Sequence, residues 1–333
     1  MRTFALPLAA ALLVSCATSA PVGTAQPADG SSATDWKVLR TAHIQLVTNI
    51  SDEDAWMGVA VLEELRAIAI AALWPNNPAG AATTLNVINP ANGVDLDWTF
   101  GVSTTRFPHA SMFLDRPSPR IVIWGRPVSW SYRSGAEPRS WVFIPMKGVV
   151  WQLGRQLEPQ APAWLLLGLG ENLLPFANHE ESGRVGLGEV NGSALDRYWS
   201  TRAFSIAGDL MAWDGREASA GATGFPAYEG AAWALVHWMS KERPAGLDHF
   251  RAALQQGMGV DVAWSSAFPD VSLGEIDATV RAYLRSPDRR LWWVQLQAIP
   301  KDPPRIRAVS WAELAQLRTE LAQAAPDAVA TTR

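Results

Sequence analysis

Five histidines, His43, His109, His179, His237 and His249, are the first residues to question about metal or proton chemistry, and no two of them stand three or four apart. A helix-borne zinc site needs that spacing, because positions i and i+4 bring two imidazoles to one face. The densest potential ligand group is His179-Glu180-Glu181, a run that equally fits a solvated acidic turn after a helix. There is no Gly-x-Ser-x-Gly elbow for a serine hydrolase. Cys16 is the only cysteine, so a disulfide within the chain is impossible. Acidic and basic residues nearly balance at a formal net charge of −4, and no basic run stands out. Nucleic acid is therefore not an expected partner.

The elements that must position any site centre on Lys147 to Phe176, KGVVWQLGRQLEPQAPAWLLLGLGENLLPF. VVWQLGRQL and AWLLLGLGENLL both repeat apolar residues at helical spacing, and Glu158 to Pro162 forms a short return between them. The pattern predicts an antiparallel helix pair. Pro145 sits where a first helical turn tolerates proline.

In detail this stretch resembles the gluzincin-like domains of bacterial lipoproteins in the peptidase MA clan, whose second helix reads close to Pro-x-Trp-Leu-x-Glu-Gly-Leu-Ala-Glu. Pro162, Trp164, Leu165, Gly168, Leu169 and Glu171 fit that frame. The resemblance implies an α+β, zincin-like fold, with a mixed-sheet N-lobe carrying the helix pair and a mainly helical C-lobe after it. It also implies where metal chemistry would sit, and there the residues depart from the family. Trp151 stands in place of the first His, Gln152 in place of the general base, Arg155 in place of the second His and Leu167 in place of the Glu ligand. Indole and guanidinium offer no usable lone pair, leucine has no donor atom, and an amide has no basicity near neutral pH. The i, i+4 spacing instead lets the Arg155 guanidinium stack on the Trp151 indole.

The expectation is a non-catalytic pseudo-peptidase with no cofactor, whose former cleft holds a peptide or protein partner. Glu171, Tyr228 and Trp141 are its possible binding residues; Tyr228 opens the helix PAYEGAAWALV, similar to the family's Tyr-x-x-Ser-Trp-x-Leu-Val. Two alternatives stay open: a working hydrolase with ligands drawn from His179, Glu180 or Glu181, and a periplasmic glycan-binding module lined by Trp124, Trp130, Trp141 and Trp151. The other tryptophans, including Trp56, Trp164, Trp233 and Trp238, read as core.

The flanks fit a secreted protein. Residues 1–15 read as a signal peptide, with an apolar run from Phe4 to Val14 too short to span a bilayer. Leu13-Val14-Ser15-Cys16 resembles a bacterial lipobox, which would make Cys16 the lipidated anchor of an outer-membrane protein facing the periplasm. Residues 16–35 are a tether rich in Ala, Pro, Gly, Ser and Thr, with a reach of roughly 24 Å as a flexible coil. Residues 36–178 are read as the α/β lobe, 179–300 as the helical lobe and 301–333 as a terminal helix and tail. Strands are expected at His43–Thr48, Thr84–Ile88, Ser111–Leu114, Arg120–Trp124 and, as an edge, Trp141–Ile144. Ser51 is the expected N-cap of a long helix closed at Pro75 and Asn76.

Overall fold

The computed structural model describes residues 35–100, 111–114, 119–133, 140–174, 176–179, 183–201, 203–215, 224–297, 299, 302–324 and 329–331. The signal segment, Cys16, all of the tether but Asp35, His109, Glu180 and Glu181 lie outside them, as do the side chains of Trp141 and His179. Among the described residues no helix is long and apolar enough to cross a membrane.

The chain is mixed α and β. Strands β1 (Lys37–Arg40) and β2 (Ile44–Thr48) form a hairpin, followed by helix α1 (Asp52–Leu73). The Ser51 side chain caps α1 by accepting from the Asp54 N–H, and three acidic residues in the first turn complement the helix dipole. Then come α2 (Pro78–Ala82), β3 (Leu85–Asn89), α3 (Gly93–Phe100), β4 (Ser111–Leu114) and β5 (Arg120–Ile123). The strands β2, β3 and β5 run parallel, and β4 returns antiparallel to β5. Both sheet faces are covered, as the nearly continuous apolar runs of β2 and β5 require. Leu39, Leu46, Val87 and Ile121 belong to the main core with α1, whereas Val38, Val47, Ile88 and Val122 meet a second core.

After β6 (Ser131–Arg133) and β7 (Ser140–Phe143), helices α4 (Met146–Leu157) and α5 (Ala163–Asn172) form the expected antiparallel pair. The hairpin β8 (Phe176–His179) and β9 (Arg184–Leu187) precedes α6 (Gly192–Ser200), a π-helical turn at Ile206–Leu210, and α7 (Phe225–Glu242). Helices α8 (Pro244–Gln255), α9 (Val260–Ala267) and α10 (Ile276–Tyr283) lead to β10 (Trp292–Gln295), β11 (Arg305–Ala308), α11 (Trp311–Ala324) and β12 (Val329–Thr331).

Three expectations need correction. Trp141–Ile144 is not an edge: β7 pairs with β6 on one side and β8 on the other, in a sheet ordered β10-β9-β8-β7-β6. The three-residue β6 was too short to register as a strand beside it. Residues 301–333 are more than a helix and tail, because β11 and β12 close the two ends of the sheet ordered β11-β1-β2-β3-β5-β4-β12. Helix α11 brings Leu314, Leu317 and Leu321 onto Trp36 and Phe100 in the second core. Trp56 is 46% exposed. The inward stripe of α1 runs through Ala55, Val59, Leu62, Leu65 and Ala69, and Trp56 falls outside that phase.

Candidate functional site

Close backbone approach makes the centre of the molecule possible. A Cβ on Gly168 of α5 would lie 2.4 Å from the Ala232 carbonyl oxygen of α7, and one on Gly230 of α7 would lie 2.6 Å from the Tyr198 amide nitrogen of α6. Only glycine permits either contact. With α5, α6 and α7 drawn together, their polar side chains converge on the first turn of α4.

That convergence is a buried network of four charges. Lys147 Nζ donates to Glu171 Oε1 at 2.9 Å and to Glu229 Oε1 at 2.6 Å. Arg197 Nη2 donates to Glu171 Oε1 at 3.2 Å, and its Nε lies 3.7 Å from Glu229 Oε2. Asn191, the N-cap of α6, donates from Nδ2 to Glu171 Oε2 at 2.8 Å while its Oδ1 accepts the Ala194 N–H. Lys147, Glu171 and Glu229 are 5%, 1% and 0% exposed. Burial alone would push the Lys147 ammonium toward neutrality, but Glu171 and then Glu229 outweigh it and hold its pKa above the usual lysine value. Burial likewise works to raise the Glu171 pKa, and Lys147 and Arg197 reverse this, leaving it below the ordinary carboxylate range. Two cations and two carboxylates neutralise one another.

The motif positions read from the sequence fall around this network, each with a packing role. Trp151 is buried, and the Arg155 guanidinium carbon lies 4.7 Å from its ring centroid, the stacking expected from their spacing. Arg155 also donates to the Ala161 carbonyl at 2.9 Å, closing the return loop. Gln152 accepts the Asn86 N–H at 3.1 Å and donates to the Pro119 carbonyl at 2.6 Å, tying α4 to the sheet. Leu167 is buried in the main core. The α4/α5 register brings Gly154 against Leu166 and Lys147 against Gly170, so the charged meeting point of the two helices lies at Lys147, one turn before Trp151.

Of the expected binding residues, Glu171 is inside the network and Tyr228 is buried. The Tyr228 ring packs 4.8 Å from Phe204 and 4.9 Å from Trp213, and burial raises its pKa. Trp130 is fully buried with Trp151, so neither lines an open groove for a glycan. Among the described residues no group of three or more His, Cys, Asp or Glu is placed to hold a metal ion.

A second polar tie sits in the return loop. Glu158 Oε1 accepts from Trp74 Nε1 at 2.9 Å, Arg251 Nη2 at 2.5 Å and Gln255 Nε2 at 3.0 Å. This joins the end of α1 to α8 through the loop between α4 and α5. His237 is fully buried in α7; the Tyr283 hydroxyl donates to its Nδ1 at 2.7 Å and accepts the Asp288 N–H at 3.2 Å. Burial, and then the Lys241 charge, push the His237 pKa down to about 3, so the ring is neutral.

Sequence reasoning missed Lys147, Asn191, Arg197 and Glu229. The available signal was charge in apolar surroundings: Lys147 precedes GVVW, and Glu229 lies inside AYEGAAWALV. A charged residue on the inward face of an apolar helix has to be paired. No protein-family model matches this chain, and no curated protein matches its sequence.

Proposed function

We propose that this protein is a non-catalytic, gluzincin-like lipoprotein of the cell envelope, a pseudo-peptidase that works by holding a peptide or protein partner. One observation carries the proposal: the Lys147 ammonium is clamped between the Glu171 and Glu229 carboxylates where α4, α5 and α7 meet. In a gluzincin this meeting place of the two motif helices holds a dication between imidazoles and a carboxylate. A register one turn earlier than the sequence alone suggested fits the geometry better. Lys147 then takes the place of the first His, Gly148 that of the general base and Trp151 that of the second His, while on α5 the third-ligand position moves one turn later, from Leu167 to Glu171, and departs from the Pro-x-Trp-Leu frame there.

Under this register the chain carries its own cation. An ammonium donates hydrogen bonds to the ligand carboxylate but has no empty orbital with which to polarise a carbonyl or acidify a bound water. Gly148 offers no base, and a Cβ there would already meet Ile121 of β5 at 3.0 Å. Strand, long helix, further strands and helix pair follow in the zincin-like order, which supports the fold reading without naming a relative.

Partner binding then rests on accessible surface, since Glu171 and Tyr228 are enclosed. Anchoring through Cys16 at the outer membrane, facing the periplasm, is part of the same proposal. The decisive experiment is zinc content after chelator treatment and reloading. The expected value is well below about 0.1 zinc per chain, and one tightly held zinc with chelator-sensitive peptide cleavage overturns the reading. Radiolabelled palmitate incorporation that is lost in Cys16→Ser tests the anchor.

A further inference from the structure

A groove of about 610 Å³, with no lining residue from α4 or α5, lies between α1 and the extended chain after β10. Its most specific feature is an imidazole oriented by a buried carboxyl group. Thr41, in the β1–β2 turn, accepts the backbone N–H of His43 at 3.2 Å and of Ile44 at 2.9 Å, which leaves its hydroxyl proton to donate to Glu63 Oε1. The other carboxylate oxygen, Glu63 Oε2, lies 3.0 Å from His43 Nδ1. Glu63 is buried, and its Oε2 faces the Nδ1 edge of the ring, which fixes how the imidazole sits. The other ring nitrogen, Nε2, has no partner among the described residues, and the His43 side chain is 19% exposed at the groove.

The remaining lining narrows the ligand. The charged groups are already matched: Glu63 as above, and Arg66 by the carbonyls of Thr83 at 3.1 Å and Gly80 at 2.5 Å. Asn76 and Gln297 contribute carboxamides, each able to donate and accept, and Ile70, Ala71 and Ile299 contribute apolar wall. Trp74 is buried and donates its N–H to Glu158, so it presents no open ring face of the kind that stacks on sugars. An uncharged ligand with N–H donors, carbonyl acceptors and small apolar branches matches this set. Repeating amides with aliphatic side chains have that chemistry, and the volume suits a short segment rather than a flat protein face.

We propose that this groove is a peptide-binding site, in which His43 Nε2 hydrogen-bonds a backbone amide group of an extended, uncharged segment and the carboxamides of Asn76 and Gln297 pair with its neighbouring amides. The site does not depend on the pseudo-peptidase reading, since a chain found to bind zinc would keep it unchanged. It also gives accessible surface to a partner that the buried centre cannot touch.

The test is selection of a random heptapeptide display library on the full chain, followed by fluorescence anisotropy with the selected peptides. The expected winners lack charge in their central residues and lose about tenfold or more in affinity on His43→Phe, the loss of one well-placed hydrogen bond at a desolvated site. Because His43→Phe disturbs Glu63, Ala71→Trp is the second variant. It fills the groove from a half-buried position that lines it on α1 and should abolish binding, while the melting temperature, measured alongside, stays within a few degrees of the parent. Peptides that bind both variants as they bind the parent, or a selection that enriches no sequence, overturn the proposal. So does an N-acetylglucosamine tetramer that binds the parent and fails on Ala71→Trp while no peptide does.

Discussion

Replacing Lys147 by Met tests the centre most directly. The substitution keeps the length and the apolar stem and removes only the ammonium that lies 2.9 Å from Glu171 and 2.6 Å from Glu229. Two carboxylates then share one cation, Arg197, at 3.2 and 3.7 Å. Breaking a buried pair by removing one partner costs about 3–5 kcal/mol, because the surviving charge stays buried. With a urea m-value of about 3 kcal/mol/M, the top of the usual small-protein range, the unfolding midpoint falls by roughly 1–1.7 M. Tryptophan fluorescence reports the transition. Adding Glu229→Gln restores charge neutrality and should recover about 2 kcal/mol, although Glu229 is itself a network member. The pH dependence changes sign as well. In the parent, Glu171 is held low, so its stabilisation is present above the unfolded carboxylate pKa and lost as pH falls through the folded value. In Lys147→Met, burial without the ammonium raises the Glu171 pKa, and stability should climb as pH drops from 7 to 5. A variant within about 1 kcal/mol of the parent, or a double variant no better than the single, would refute the claim that Lys147 neutralises both carboxylates.

Further predictions follow from the same geometry. Gly168→Ala places a methyl 2.4 Å from the Ala232 carbonyl and should destabilise by about 3 kcal/mol, as read by urea titration. His237, depressed to about 3 when folded against about 6.5 unfolded, takes up its proton in the unfolded chain first. Its contribution is therefore complete above pH 6.5 and falls by about 1.4 kcal/mol per unit below it, about 3 kcal/mol by pH 4; a titration of urea midpoints should show that slope and lose it in His237→Gln. Lys147→His combined with Trp151→His puts two imidazoles at i and i+4 near Glu171, and about one zinc per chain is the expected metal content. A zinc-free double variant would count against the one-turn-earlier register.

Local signals were legible in the sequence and distant ones were not. Ser51 before an acidic turn, and Pro75 with Asn76 after Trp74, bounded α1 correctly because capping and termination act within a few residues. The strands β2, β3, β4 and β5 were visible as short apolar runs. Arg305–Ala308, by contrast, has four exposed residues and no apolar face of its own, and becomes a strand only because β1 offers it an edge. The same holds for the candidate centre. The return loop and helix pair could be read from spacing, but Lys147 meets Glu229 across 82 positions, a pairing that spacing cannot reveal. Trp151 and Arg155 drew attention as departures from a motif, while the residues that do the electrostatic work stood one turn earlier and one to three helices later.

The arrangement of β11 and β12 sets the tempo of assembly. Val38 pairs with Arg307, and Met112 with Ala330, so both border strands of the larger sheet come from far along the chain from the strands they join. The first of these pairings closes a loop of about 270 residues, a long-range contact of the sort that slows folding. Until then β1 and β4 each present a bare hydrogen-bonding row. A chain shortened before Arg305 should therefore gather into soluble aggregates through those rows even though its helix pair is intact.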